Sequence, residues 1–194
     1  RLDLRIAYKI NGKKAAYDSI TRFVGSAPIK KVAIMGLSKE VLSTNERSAG
    51  YREAIKKARM TLVFDEYIGH GVNPSSAAAS KLLEKFKDVQ LILTVNETTT
   101  AAAIMAIRKM PEEKRPKLIG FDYREDFFEA IRKKEILGLI VQDPQQIGYA
   151  AVELLAVAKK SGKLKIGPKY IDPIFLDSSN ITSTNILTKL EQFK

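Results

Sequence analysis

The chain has 194 residues, 45% of them hydrophobic and 8% aromatic, with no cysteine and a formal net charge of +11. That supply of apolar side chains excludes a disordered chain, and the missing thiols exclude disulfides, thiolate metal sites and cysteine nucleophiles. No apolar run approaches the ~18 to 20 residues that cross a bilayer as a helix. The lysines come in short pieces, such as Lys13-Lys14, Lys56-Lys57 and Lys133-Lys134. With no interleaved aromatics and no helix-turn-helix or zinc-finger spacing, they read as solvated helix faces and helix ends, not as a direct nucleic-acid surface.

Residues 4–10 (LRIAYKI) are rich in β formers and read as a strand, and Asn11-Gly12 is a turn signal. Between Lys13 and Val24, Ala16, Tyr17, Ile20, Phe23 and Val24 recur at helical spacing, and Gly25 supplies a stop. KVAIMGL (31–37) is a nearly continuous apolar run, the mark of a strand covered on both faces in a parallel sheet. A polar loop follows, with Ser43 or Thr44 as candidate N-cap. ERSAGYREAIKKARM (46–60) then forms a helix with Tyr51, Ile55, Ala58 and Arg59 along one track and Arg47 in its first turn.

TLVF (61–64) is the next strand. The loop after it holds His70, the one histidine, and Pro74 and Ser75 start a helix through SSAAASKLLEKF. VQLILTV (89–95) is a strand ending on Asn96, and TTTAAAIMAIRKM a helix with Ala102, Met105, Ala106 and Met110 inward, closed by Pro111. LIGFD stops at Asp122, the amphipathic EDFFEAIRKKE follows, and GLIVQ stops at Gln142. A long helix over 147–160 carries Ile147, Ala151, Leu154, Leu155 and Ala158 on one stripe. YIDPIFL (170–176) is strand-like but broken by Pro173, so it belongs at an edge or a bend. The remaining tail is polar and helical near its end. Strands alternating with helices imply an α/β protein with a doubly wound parallel sheet and right-handed crossovers, the strand order staying open.

Arg47, Asn96, Asp122 and Gln142 come from four strand-to-helix junctions, and parallel strands bring all such junctions to one rim. A donor fork, two amides and a carboxylate suit an uncharged molecule covered with hydroxyls. The competing reading makes Asp122 a turn or helix cap and Gln142 a solvated loop residue. Catalysis has little to work with. No GxSxG elbow, Walker loop or GxGxxG fingerprint occurs, His70 has no second histidine at metal-ligand spacing, and nothing in the chain brings Asp65, Glu66 and Asp122 together.

The stretches ERSAGY, ILTVNETTTAAAIMAI, LIGFD and LIVQDPQQIGYAAVELL together resemble the C-terminal half of the type I periplasmic-binding-protein family, nearest its ribose-type sugar receptors of ABC importers. The resemblance implies that Arg47, Asn96, Asp122 and Gln142 contact a monosaccharide. Asn11 is similar to the asparagine of the family's Asp-Asn element, with Ile10 in place of the aspartate, and His70 falls in a loop that in some members stacks an aromatic ring on the sugar. It also implies two lobes clasping the ligand. Residues 1–10 would then be a crossing strand, 11–141 the C-terminal lobe, 142–169 a helix returning to the other lobe, and 170–194 a second crossing and tail.

That helix would show an unclaimed apolar face, covered by re-docking, another copy or a dimer. The expectation is an extracytoplasmic, non-enzymatic receptor that needs no cofactor or metal and partners a permease. The alternatives are the effector domain of a cytoplasmic LacI-like regulator, or a sugar-sensing ectodomain. The chain opens on Arg1, so the lack of an export signal leaves the compartment open.

Overall fold

The protein is represented by a computed structural model that describes residues 8–25, 27–161 and 169–191. Most of the first expected strand lies outside these residues; its described part, Tyr8–Lys9 (β1), stands apart from the main sheet. The helix that follows, Gly12–Val24 (α1), begins on the Asn11 N-cap, whose Oδ1 accepts from Lys14 N at 3.0 Å. It ends on Gly25 at φ 52°, a conformation open to glycine at little cost.

From there strands and helices alternate: Lys31–Gly36 (β2), Leu42–Lys57 (α2), Thr61–Tyr67 (β3), Val72–Lys85 (α3), Leu91–Thr94 (β4), Glu97–Arg108 (α4), Lys117–Phe121 (β5), Glu125–Arg132 (α5) and Ile136–Val141 (β6). The sheet order is β3-β2-β4-β5-β6, all parallel. This is a doubly wound α/β fold, and the direction of winding reverses between β2 and β4.

Each central strand is buried on both sides. Along β2, Val32 and Ile34 face the α1/α2 layer, whereas Ala33 and Met35 face the α3/α4/α5 layer. Two cores therefore sandwich the sheet, which explains the continuous apolar runs. Among the described residues, no helix is long and apolar enough to cross a membrane.

The C-terminal part combines two roles. Pro144–Ser161 (α6) contacts β1, and Lys169–Tyr170 (β7) pairs parallel with β1. After Pro173, Ile174–Leu176 (β8) adds an antiparallel edge to β6, and Thr184–Glu191 (α7) sends Leu190 into the core beside Ile181. The proline thus lies between two short strands, outside any ladder.

Several local expectations need correction. Helix α2 starts at Leu42 with Val41 as N-cap; neither Ser43 nor Thr44 caps it, and Thr44 Oγ1 instead donates back to the Val41 carbonyl at 2.9 Å. Arg59 leaves the helical track at φ 53°, beyond the Ala58 C-cap. Strand β3 runs on to Tyr67, because as an edge strand it pairs only with β2 and tolerates solvated side chains. Helix α3 starts at Val72, with Pro74 in the first turn, where no intrahelical N–H is required. Met105 is exposed, since the small alanines of α4 let the helix sit close to the sheet on its other side. Leu155 of α6 is likewise exposed, along with Tyr149, Val152 and Val157.

Candidate functional site

The threonines after β4 tie down its end. Asn96 caps α4: its Oδ1 accepts from Thr99 N at 3.1 Å, while Thr99 Oγ1 accepts from Asn96 N at 3.2 Å. Thr100 Oγ1 accepts from Phe121 N at 3.0 Å and lies 2.7 Å from the Asn96 carbonyl, tying the end of β5 to that of β4. Its methyl fills the space over Gly120, where a Cβ would lie 2.7 Å from Thr100 Cγ2. These buried hydroxyls satisfy strand-end backbone that would otherwise be unpaired.

On this base Asp122 adopts φ 68°, a left-handed conformation that aspartate tolerates better than most residues. It is not the cap of α5, which begins after Arg124. Its carboxylate receives three donors: Gln142 Nε2 on Oδ1 at 2.5 Å, and Arg47 Nη1 and the Glu97 backbone N–H on Oδ2, both at 3.4 Å. The Glu97 amide is the first of α4, so the positive end of that helix faces the carboxylate.

Arg47 arrives from the first turns of α2. It is 6% exposed, donates to the Val95 carbonyl at 2.6 Å and stacks its guanidinium 3.9 Å from the centroid of the Phe121 ring. Its Nε is buried without a hydrogen-bond partner. Tyr51, one turn further along α2, is fully buried with its hydroxyl on the Thr94 carbonyl at 3.1 Å, and burial pushes that phenol well above its ordinary titration range.

The structure therefore joins Arg47, Asp122 and Gln142 in one hydrogen-bonded set at the carboxyl ends of β4, β5 and β6, with Asn96 beside it. The amide nitrogen of Asn96 makes no hydrogen bond among the described residues. Asn11 caps α1 and reaches the set only through its neighbour: a Cβ on Gly12 would lie 3.1 Å from Arg47 Cγ. His70 is exposed between Gly69 and Gly71, both at φ 85°, and no contact ties it to the set. Asp65 and Glu66 lie on β3, across β2 and β4 from Asp122, and Asp65 is engaged by Arg52.

Sequence reading missed three participants. Phe121, under the guanidinium, is signalled only as the residue before Asp122. The Glu97 amide has no side-chain signature, and Gly12 read as a turn, not as a close approach. The set can donate to and accept from hydroxyl groups. The 3.4 Å Arg47–Asp122 separation is at the loose end of hydrogen bonding, so a hydroxyl can compete for both partners.

Residues 7–164 match the family model described as "Periplasmic binding protein domain". Among curated relatives, the ribose import binding protein RbsB of Haemophilus influenzae is 25% identical over 168 residues, which cover 84% of this chain and 56% of that protein. Similar solved structures include GanP, a glucose-galactose binding protein from Geobacillus stearothermophilus (TM-score 0.83, 19% identity, 93% of this chain and 65% of that one). Another is the periplasmic component of an ABC-type sugar transport system from Hahella chejuensis (TM-score 0.74, 25% identity, 86% and 60%). The chain thus spans about half the length of the curated relatives it matches, 56% and 51% for the first two. With a family model covering most of its residues and the same doubly wound lobe, this chain belongs to the periplasmic binding protein domain family.

Proposed function

We propose that the chain binds a monosaccharide, pentose or hexose, between Arg47, Asn96, Asp122 and Gln142, as one lobe of an extracytoplasmic receptor serving an ABC sugar importer. The observation that carries this reading is the convergence of the Arg47, Asp122 and Gln142 side chains in one hydrogen-bonded set, with Arg47 Nη1 held at a loose 3.4 Å from the carboxylate. A bond that long leaves both partners capacity for a ligand hydroxyl. The relative named for ribose import and the neighbour named for glucose and galactose support a sugar as the ligand. Asn11 and His70 stand at the margin, the first through Gly12 and the second only if its loop closes over a bound ring. The site holds and does not transform its ligand.

One lobe alone makes only part of the contacts of a clasp, so its affinity is expected in the millimolar range, about 4 kcal/mol of binding energy. The exposed face of α6, with Tyr149, Val152 and Val157, is where we propose a second body of protein sits, either the partner lobe or another copy.

The test is a titration of the isotope-labelled chain with D-ribose, D-allose, D-xylose, D-galactose and D-glucose, following the arginine Nε and glutamine side-chain resonances. At least one sugar is expected to shift the Arg47 and Gln142 signals, and Arg47→Met to abolish the response. No shift with any sugar or polyol would remove this reading.

A further inference from the structure

We propose that the end of the sheet opposite the Arg47–Asp122–Gln142 set is a docking surface for anionic phospholipid. In a parallel sheet the amino ends of the strands and the carboxyl ends of the intervening helices share one pole. Here the strand starts are bonded to one another: Thr61 N donates to the Lys30 carbonyl, Gln90 N to the Lys31 carbonyl and Lys117 N to the Gln90 carbonyl, at 2.7 to 2.9 Å. That pole carries much of the chain's net charge of +11. Lys30 and Lys31 open β2, Lys56 and Lys57 end α2, Lys85 ends α3 and Lys117 opens β5, all exposed. Lys109, Lys133 and Lys134 add to them past α4 and α5. The opposite pole is mixed in sign, with Glu97, Asp122, Glu125, Asp126 and Asp143 beside Lys14, Lys39, Arg47 and Arg124.

Helix dipoles account for part of this, since a cation in a last turn gains ~0.3 to 1 kcal/mol. They do not account for lysines at strand starts. Nor do they explain Arg59 and Lys134, which occupy φ 53° and 59°, where glycine would be unstrained. Some cations are neutralised: Lys31 by Asp88, Arg108 by Glu135, and Arg132 and Lys133 by Glu129. Lys30, Lys56, Arg59, Lys87, Lys117 and Lys134 have no ion pair among the described residues.

The occupant follows from shape and composition. Tips of parallel strands and helices form a broad disc, not a cleft, and lysines, mobile point charges, outnumber arginines there. Among the described residues no exposed aromatic side chain sits at this pole, so it offers no platform on which bases could stack. Lysines near an anionic bilayer act additively through the surface potential, with no need for shaped contacts. A flat lipid surface fits that disc better than a nucleic acid.

The experiment is co-sedimentation of the 194-residue chain with vesicles rich in phosphatidylglycerol, and with phosphatidylcholine vesicles, over a salt series. Binding is expected to the anionic vesicles alone, weakening as salt rises. Changing Lys30, Lys56, Lys117 and Lys134 together to Glu is expected to remove detectable partitioning. The same four changed to Gln, a milder set should the first unfold by circular dichroism, should lower it about a thousandfold at low salt. Lys14→Glu with Lys39→Glu, at the other pole, should leave it unchanged. Equal binding to neutral vesicles, an equal loss in the Lys14/Lys39 variant, or tighter retention on duplex DNA at the same salt would overturn the proposal.

Discussion

Arg47 is the residue on which the hydrogen-bonded set turns, because its position is over-determined by unlike neighbours: a backbone carbonyl, an aromatic face, a carboxylate and the bare Cα of Gly12. Gly12→Ala places a methyl 3.1 Å from Arg47 Cγ. The arginine must yield by a few tenths of an ångström, while helix propensity at that position improves. The expected outcome is a chain as stable as the parent or slightly more so, in which the Arg47 Nε resonance moves and sugar-induced shifts weaken several-fold. Asp122→Asn should be more damaging. It removes the charge that orders both the Gln142 amide and the guanidinium, and the chemical-shift response to any sugar is expected to vanish while the melting temperature falls by several degrees. The residue types at the strand ends are legible in the order of amino acids alone. That Asn96 spends its side-chain carbonyl oxygen on capping α4 is not, since it depends on the backbone turn at residue 96.

At the scale of elements, the layer that carries Arg47 depends on how closely α1 and α2 approach. The contact is at Gly50, where a Cβ would lie 2.0 Å from the Lys13 carbonyl oxygen, a backbone atom with no freedom to swing aside. Gly50→Ala should therefore destabilise by about 2 to 3 kcal/mol, outweighing its gain in helix propensity and lowering the melting temperature by roughly 5 to 10 °C. On the other layer, Arg108 of α4 grips Glu135 at the start of β6 through two bonds of 3.2 and 2.7 Å, and this partner holds the Glu135 carboxyl below its ordinary 4.5. A depressed folded value stabilises the fold above the ordinary value, and the contribution is lost as pH falls through the folded one. Urea unfolding should accordingly show the parent more stable than Glu135→Gln near neutral pH, with the gap closing under acid conditions.

For the molecule as a whole, the reversal of winding between β2 and β4 opens the rim where α2 and α4 diverge, so side chains from both can meet there. The 18-residue helix α6 buries none of its residues fully, and Val152 and Leu155 stand 67% and 47% exposed. If a second copy covers that face when the chain is alone, Val152→Glu with Leu155→Glu should convert a concentration-dependent dimer to monomer in sedimentation velocity, leaving sugar-induced shifts intact. A monomer at every concentration for the parent chain would leave the partner lobe as the body that belongs there.

The alternation of apolar runs with helical stripes determined the α/β class, most element positions and the places of Asn96, Asp122 and Gln142 just past strand ends, because burial on both faces imposes its period directly on the residues. The order of the strands, the left-handed turn at Asp122, the seat of Arg47 on Phe121 and the run of β3 through Tyr67 were decided only in three dimensions. Each of these depends on contacts between segments tens of residues apart, and local periodicity carries no record of which distant segment lies alongside.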